Sequence, residues 1–207
     1  MRAKTRAGFS QFFLLAICYL LIAGCSHSIP RFGLGGRYLE GKREITKGRF
    51  GDADKAILAL EEVARQDPTY RDSLTLLGRA YYKKGRYRDA FEILKRALAV
   101  NPEDEIAWIA LGLAQLRLGD DQRGLETLKG GLTLLYKVSV DGYKGIGFWD
   151  KSGSVRTAIR QSSFLLVKEV EAKEKIITSC EVLLARIDDE MWKSQGEERI
   201  EATKSGL

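Results

Sequence analysis

The residues of this chain best suited to act as nucleophiles or soft metal ligands are few: Cys18, Cys25, Cys180 and a single histidine, His27. Hydrolytic and zinc chemistry needs such groups at fixed spacing, as in HExxH, CxxC or GxSxG, and none of these patterns occurs. His27 stands two residues from Cys25 in a stretch with Pro30 and several glycines, which offers it no pocket. Spacing assigns no pair of carboxylates to a common site. Gly145-Ile146-Gly147 lacks the preceding strand and the lysine-bearing helix of a nucleotide loop. Catalysis, a bound metal and a cofactor are therefore not expected. Cys18 and Cys25 lie within or at the edge of an apolar N-terminal segment, so no disulfide framework can be built. Cys180 is left either as a small buried hydrophobe or as a site of intermolecular pairing.

That N-terminal segment is the first element to account for. Arg2, Lys4 and Arg6 precede an apolar stretch from Phe12 to Ala23, and small residues follow. This is the order of a secretory signal, and the stretch is shorter than the roughly 20 apolar residues of a membrane span. Ile22-Ala23-Gly24-Cys25 resembles the bacterial lipobox, with isoleucine where leucine is commoner. The resemblance implies cleavage before Cys25 and acylation of that residue, giving a signal peptide over 1–24 and a lipidated cysteine with its tether over 25–36. Ser26 after the cysteine is similar to lipoproteins sorted to the outer membrane in a two-membrane host. The expected location is the cell envelope, with the chain held to the membrane on the periplasmic side. Two or more acyl chains hold a protein stably, whereas a single chain binds only marginally.

The rest of the chain must build one soluble domain. The whole chain has 207 residues, 44% of them hydrophobic and 30% charged, a balance that argues against a protein living wholly within a bilayer. The formal charge of +6 shrinks to about +3 once the three basic residues of the signal are set aside, which leaves no nucleic-acid footprint. Apolar clusters at three- and four-residue steps and only three prolines indicate an all-α fold.

Residues 71–104 and 105–138 superimpose at a 34-residue period. The first of these units supplies Leu74, Leu77, Gly78, Tyr81, Ala90, Leu94, Ala97 and Pro102, and the next supplies Trp108, Leu111, Gly112, Gln115, Gly124, Leu128 and Gly131. These columns resemble the tetratricopeptide signature W-x2-L-G-x2-Y, A-x3-F, P, although tyrosine and proline are lost from the later unit. Residues 74, 77, 78 and 81 share a face of one helix, and 90, 94 and 97 a face of the next. The small residues allow close helix approach, and Gly85 and Gly119 supply the turns. Residues 37–70 read as a degenerate first unit. Ala56, Leu60, Val63 and Pro68 keep the period there, with Gly51 in the turn column and Tyr38, Leu39 and Ile45 offered to the core. An alternative alignment of Gly48-Arg49-Phe50 with Gly85-Arg86-Tyr87 shifts that register by three.

Beyond the repeats, 139–153 reads as a loop rich in glycine that carries Tyr143, Phe148 and Trp149. Residues 154–193 form one long helix or two, stepping by fours and threes through Ile159, Leu166, Ile177, Cys180, Leu184 and Ile187. This segment either caps the solenoid or pairs with itself as a coiled coil. Residues 194–207 read as a flexible polar tail.

The resemblance places the first helix of each unit on a concave, partner-binding surface. In the second unit it brings Asp72, Thr75, Arg79 and Tyr82 there, and in the third Ile106, Ile109, Leu113 and Leu116. The mixed set suits an extended peptide or a partner helix, and the apolar set needs a cover from the C-terminal helix or from a client. Arg79 stands where carboxylate-capturing relatives carry asparagine, so that activity is not implied. The expected function is a membrane-anchored, non-catalytic adaptor for other envelope proteins. The alternative is an anchored homo-oligomer paired through 154–193.

Overall fold

Gly85 (φ +74°) and Gly119 (φ +87°) sit in the left-handed region that glycine enters without a Cβ clash, and each turns the chain from the first helix of its unit into the second. The computed structural model describes residues 33–141, 150, 152–167 and 173–204, with the side chains of 138–141 and 194–204 left aside. The chain divides into 1–36 and 37–207, and the repeats belong to the second of these units. Eight α-helices and no strand occur among the described residues. The first six are α1 (Leu34–Thr46), α2 (Ala53–Gln66), α3 (Ser73–Lys83), α4 (Tyr87–Val100), α5 (Glu105–Arg117) and α6 (Asp121–Asp141). They are followed by α7 (Ser154–Val167) and α8 (Lys173–Lys204). No described helix is long and apolar enough to cross a membrane. Cys25, the segment before it that is expected to be a signal, and the aromatics Tyr143, Phe148 and Trp149 lie outside the described residues.

Helix starts follow local chemistry. Asp52 accepts from the backbone N–H groups of Asp54 and Lys55 to cap α2, and Asp104 accepts from that of Ala107 to cap α5. Asp67 and Asn101, each before a proline, are extended, so α2 and α4 stop there. Within the hairpins the small columns carry the contact. A Cβ built on Gly78 would enter the volume of Leu94, and one on Gly112 would lie 2.7 Å from Leu128 Cγ and 2.9 Å from the Gly124 carbonyl oxygen.

The degenerate first unit settles on the shifted register. Gly48, not Gly51, is the left-handed residue (φ +59°), and Gly41, not Glu44, meets the second helix at Leu60. The second helix keeps the 34-residue step while the first is displaced by three. A 3-10 turn over Gly48–Phe50 takes up the extra residues. Tyr38 and Ile45 are buried as expected, but Leu39 is 60% exposed, because the inward face of α1 runs through 38, 41 and 45. Glu44 is buried beside Gly51 and accepts from Lys47 Nζ (2.7 Å) and the Asp52 N–H (3.2 Å).

Two C-terminal expectations change, and one left open is decided. Residues 139–141 are helical rather than loop, since the first breaker there is Gly142. Residues 154–193 are two helices, α7 and α8. The second runs on to Lys204 instead of giving way to a flexible tail at 194: Gly196 alone costs about 1 kcal/mol, and its neighbours Glu197, Glu198, Arg199 and Ala202 favour helix. Asp150, 1% exposed, holds the start of α7 by accepting from the N–H groups of Val155 and Arg156, both at 3.1 Å.

Candidate functional site: the concave groove

The groove is built by α3 and α5, which pack side by side, and α8 packs on α5 and reaches the Gly48–Phe50 turn. Its course is marked by carboxylates. Glu174 and Glu181 meet Arg117 at 3.1 and 3.2 Å, Tyr82 donates to Glu181 at 2.6 Å, and Arg79 meets Asp188 at 2.6 Å. Seven residues of helix span about 10.5 Å, so the three acids share one face of α8, with Glu174 and Glu181 over Arg117 and Asp188 over Arg79. Desolvation, followed by the hydrogen bond to Glu181, pushes the Tyr82 phenol above its ordinary range. At the α5 end, Lys173 pairs with Asp121 at 2.5 Å.

Each residue expected to meet a partner is engaged within the chain. Asp72 accepts from Tyr38 of the preceding unit at 2.5 Å. Thr75, 4% exposed, donates to Asp104 at 2.5 Å and clasps the following unit. Burial raises the pKa of Asp104, and its bonds from Thr75 and the Ala107 N–H oppose that. The repeat pattern leaves Arg79 and Tyr82 open to a partner. Instead Arg79 is 7% exposed against α8 and Tyr82 is half-buried, because Asp188 and Glu181 lie over them. Ile109 and Leu116 are buried within their own hairpin, facing Gly131 and Gly124 of α6. Leu113, in the column of Arg79, is fully buried in a core common to α5, α6, α7 and α8, and Ile106 is half-buried against it. The cover of the apolar groove is thus the C-terminal pair of helices.

The coiled-coil alternative loses its seam for the same reason. Ile177, Cys180, Leu183 and Leu184 are all buried within this core. Desolvation pushes the Cys180 thiol up to about 12, with the nearby Ser162 hydroxyl opposing. At neutral pH it is a protonated, inaccessible thiol.

Arg117, Glu174, Glu181, Asp188 and Lys83 complete the site and were not singled out from sequence. Two signals were present. Lys83 and Arg117 are one 34-residue step apart, in the last turns of α3 and α5, and the three acids repeat every seven residues along one face of α8. Among the described residues no group of histidine, cysteine or carboxylate side chains is placed to hold a metal.

Two family models agree with this geometry: residues 75–133 match one described as tetratricopeptide repeat, and residues 49–90 match a second of the same description. The chain is a tetratricopeptide repeat protein. Among solved structures it is similar to the TPR2B domain of yeast Sti1 in its complex with pHsp70, at 22% identity over 66% of this chain and 97% of that one, with a TM-score of 0.49. No curated protein matches it. Its repeats belong to a fold that typically serves as a non-catalytic scaffold for protein interaction.

Proposed function

We propose that the chain is a non-catalytic adaptor, anchored by a lipidated Cys25 to a membrane of the cell envelope, whose repeat groove takes other envelope proteins. The observation that carries the adaptor reading is the seating of α8: a helix lies across the first helices of the repeats, bonded through Arg79, Tyr82 and Arg117. A surface that holds one helix in this way is suited to holding another. The order of charge, apolar stretch and Ala23-Gly24-Cys25 supports the anchor, and Ser26 supports the outer membrane where the host has two. The homo-oligomer alternative has no such support, since its seam is spent inside the chain.

Two measurements test this. Cys25→Ala should abolish metabolic labelling by fatty acid and move the chain out of the membrane fraction or leave an uncleaved precursor. A labelled, membrane-bound variant would refute the anchor. The immobilised mature chain should retain a discrete set of proteins from detergent-solubilised envelope beyond those held by bare resin. An eluate identical to that of the resin would refute the adaptor.

A further inference from the structure

The two halves of α8 are held by different chemistry. From Ile176 to Ile187 the inward residues are mainly apolar and buried among α5, α6 and α7, with Glu181 bonded to Tyr82 and Arg117 at the edge. From Asp188 onward the bonds are polar: Asp188 to Arg79, and Glu190 to Ser152 (2.9 Å), Ser154 (3.3 Å) and Lys193 (3.0 Å). Met191 is the half-buried apolar contact of this stretch, and Trp192 is 41% exposed.

The bond at Asp188 is incomplete. The side chain is 2% exposed, one oxygen accepts from Arg79, and the other has no hydrogen-bond partner among the described residues. Arg79 is the cation bonded to this carboxylate, and Lys83 lies close enough to feel its charge without bonding to it. Lys83 donates to the Ile45 carbonyl at 2.8 Å. Desolvation of its ammonium and repulsion from Arg79 lower its pKa, while Asp188 acts the other way. A buried ion pair with an unmet acceptor and a surplus cation is a poor source of net stability, and each polar bond can be exchanged for water or for another acceptor at small cost.

We propose that α8 from Asp188 onward is a displaceable occupant of the groove over the first two units, and that its competitor is an amphipathic helix of another protein that brings more than one carboxylate. The charge balance selects that chemistry: the incoming helix meets Arg79, where Asp188 lies now, and a second acid answers Lys83, while Tyr82 stays bonded to Glu181 of the retained half. The apolar half of α8 stays in place, so the fold persists while the groove opens. This rests on the groove being the adaptor's binding surface.

The test uses a fluorescein-labelled synthetic peptide with the sequence of residues 186–204 and a second peptide differing only by Asp188→Asn. Both are titrated by anisotropy against the full mature chain and against the chain carrying Asp188→Asn, whose own occupant is weakened while Arg79 is kept. The unaltered peptide should bind the variant chain about tenfold more tightly than the parent chain, and the altered peptide should bind either chain about tenfold more weakly, as expected for loss of a charge-assisted bond. The ranking of the two peptides on the parent chain does not depend on the variant's folding. Equal affinity of the two peptides, or binding of neither to the folded chains, overturns the proposal. Capture of envelope proteins without peptide binding leaves the adaptor standing and removes only this mechanism.

Discussion

At matching columns α3 presents Thr75, Arg79 and Tyr82 where α5 presents Ile109, Leu113 and Leu116, and the same helix α8 passes over both. Over α5 the match is mainly apolar, with Arg117 paired to Glu174 and Glu181 at its end, and leaves Leu113 fully buried. Over α3 it consists of one ion pair and one phenol-carboxylate bond. One repeat geometry therefore carries two kinds of closure. Apolar burial contributes about 1.5–3 kcal/mol per large side chain, whereas exchanging a polar bond with water changes stability by about 0.5–1.5 kcal/mol. The α5 half behaves as core and the α3 half as a closure.

The largest effect should come from placing a charge in the apolar half. Leu113→Asp buries an unpaired carboxylate and removes a core side chain, and should lower stability by on the order of 5 kcal/mol or abolish cooperative thermal unfolding. A melting temperature within a few degrees of the parent's would show that α8 does not seal this half.

In the polar half, Arg79→Met strands Asp188 and should cost about 3 kcal/mol, while Arg79→Met with Asp188→Leu should recover more than half of that loss. Denaturant melts of the four chains in the cycle give the coupling directly. Additive losses would mean that the pair seen at 2.6 Å is not energetically coupled.

The hairpins themselves allow a finer comparison. A Cβ at Gly78 meets the flexible Leu94 side chain, whereas one at Gly112 also meets the backbone of Gly124 and Leu128, which cannot swing aside. Gly112→Ala should cost about 2 kcal/mol and Gly78→Ala about 1. The reverse order in chemical melts would contradict the packing assigned to the two units.

Smaller still is the acid response of the first unit. The hydrogen bond from Lys47, aided by the Asp52 N–H, holds the Glu44 carboxyl below its ordinary 4.5. Its folded pKa thus lies below the unfolded one. The stability it contributes is complete above the unfolded value and is lost as pH falls through the folded one. Glu44→Gln should leave a shallower fall in melting temperature below about pH 4.5 than the parent shows. Identical acid limbs would show that Glu44 takes no part.

These contrasts also mark what a sequence can disclose. The 34-residue step, the Gly78 and Gly112 columns and the Gly85 and Gly119 turns were legible because they are local and repeat. The first unit was harder, since a three-residue insertion leaves Gly48 and Gly51 as rival turn residues and only backbone geometry separates them. The burial of Arg79 and Tyr82 was illegible because their partners lie 109 and 99 residues away. Periodicity can identify the acidic face of α8 but not the surface beneath it.

The central claim is that α8 fills the groove in two separable parts, and hydrogen exchange on the Asp188→Asn chain beside its parent tests it most directly. The account predicts amide exchange about tenfold faster across residues 186–204, with residues 176–184 and α5 changed by less than about twofold. Equal acceleration of both halves of α8, or of neither, would contradict it.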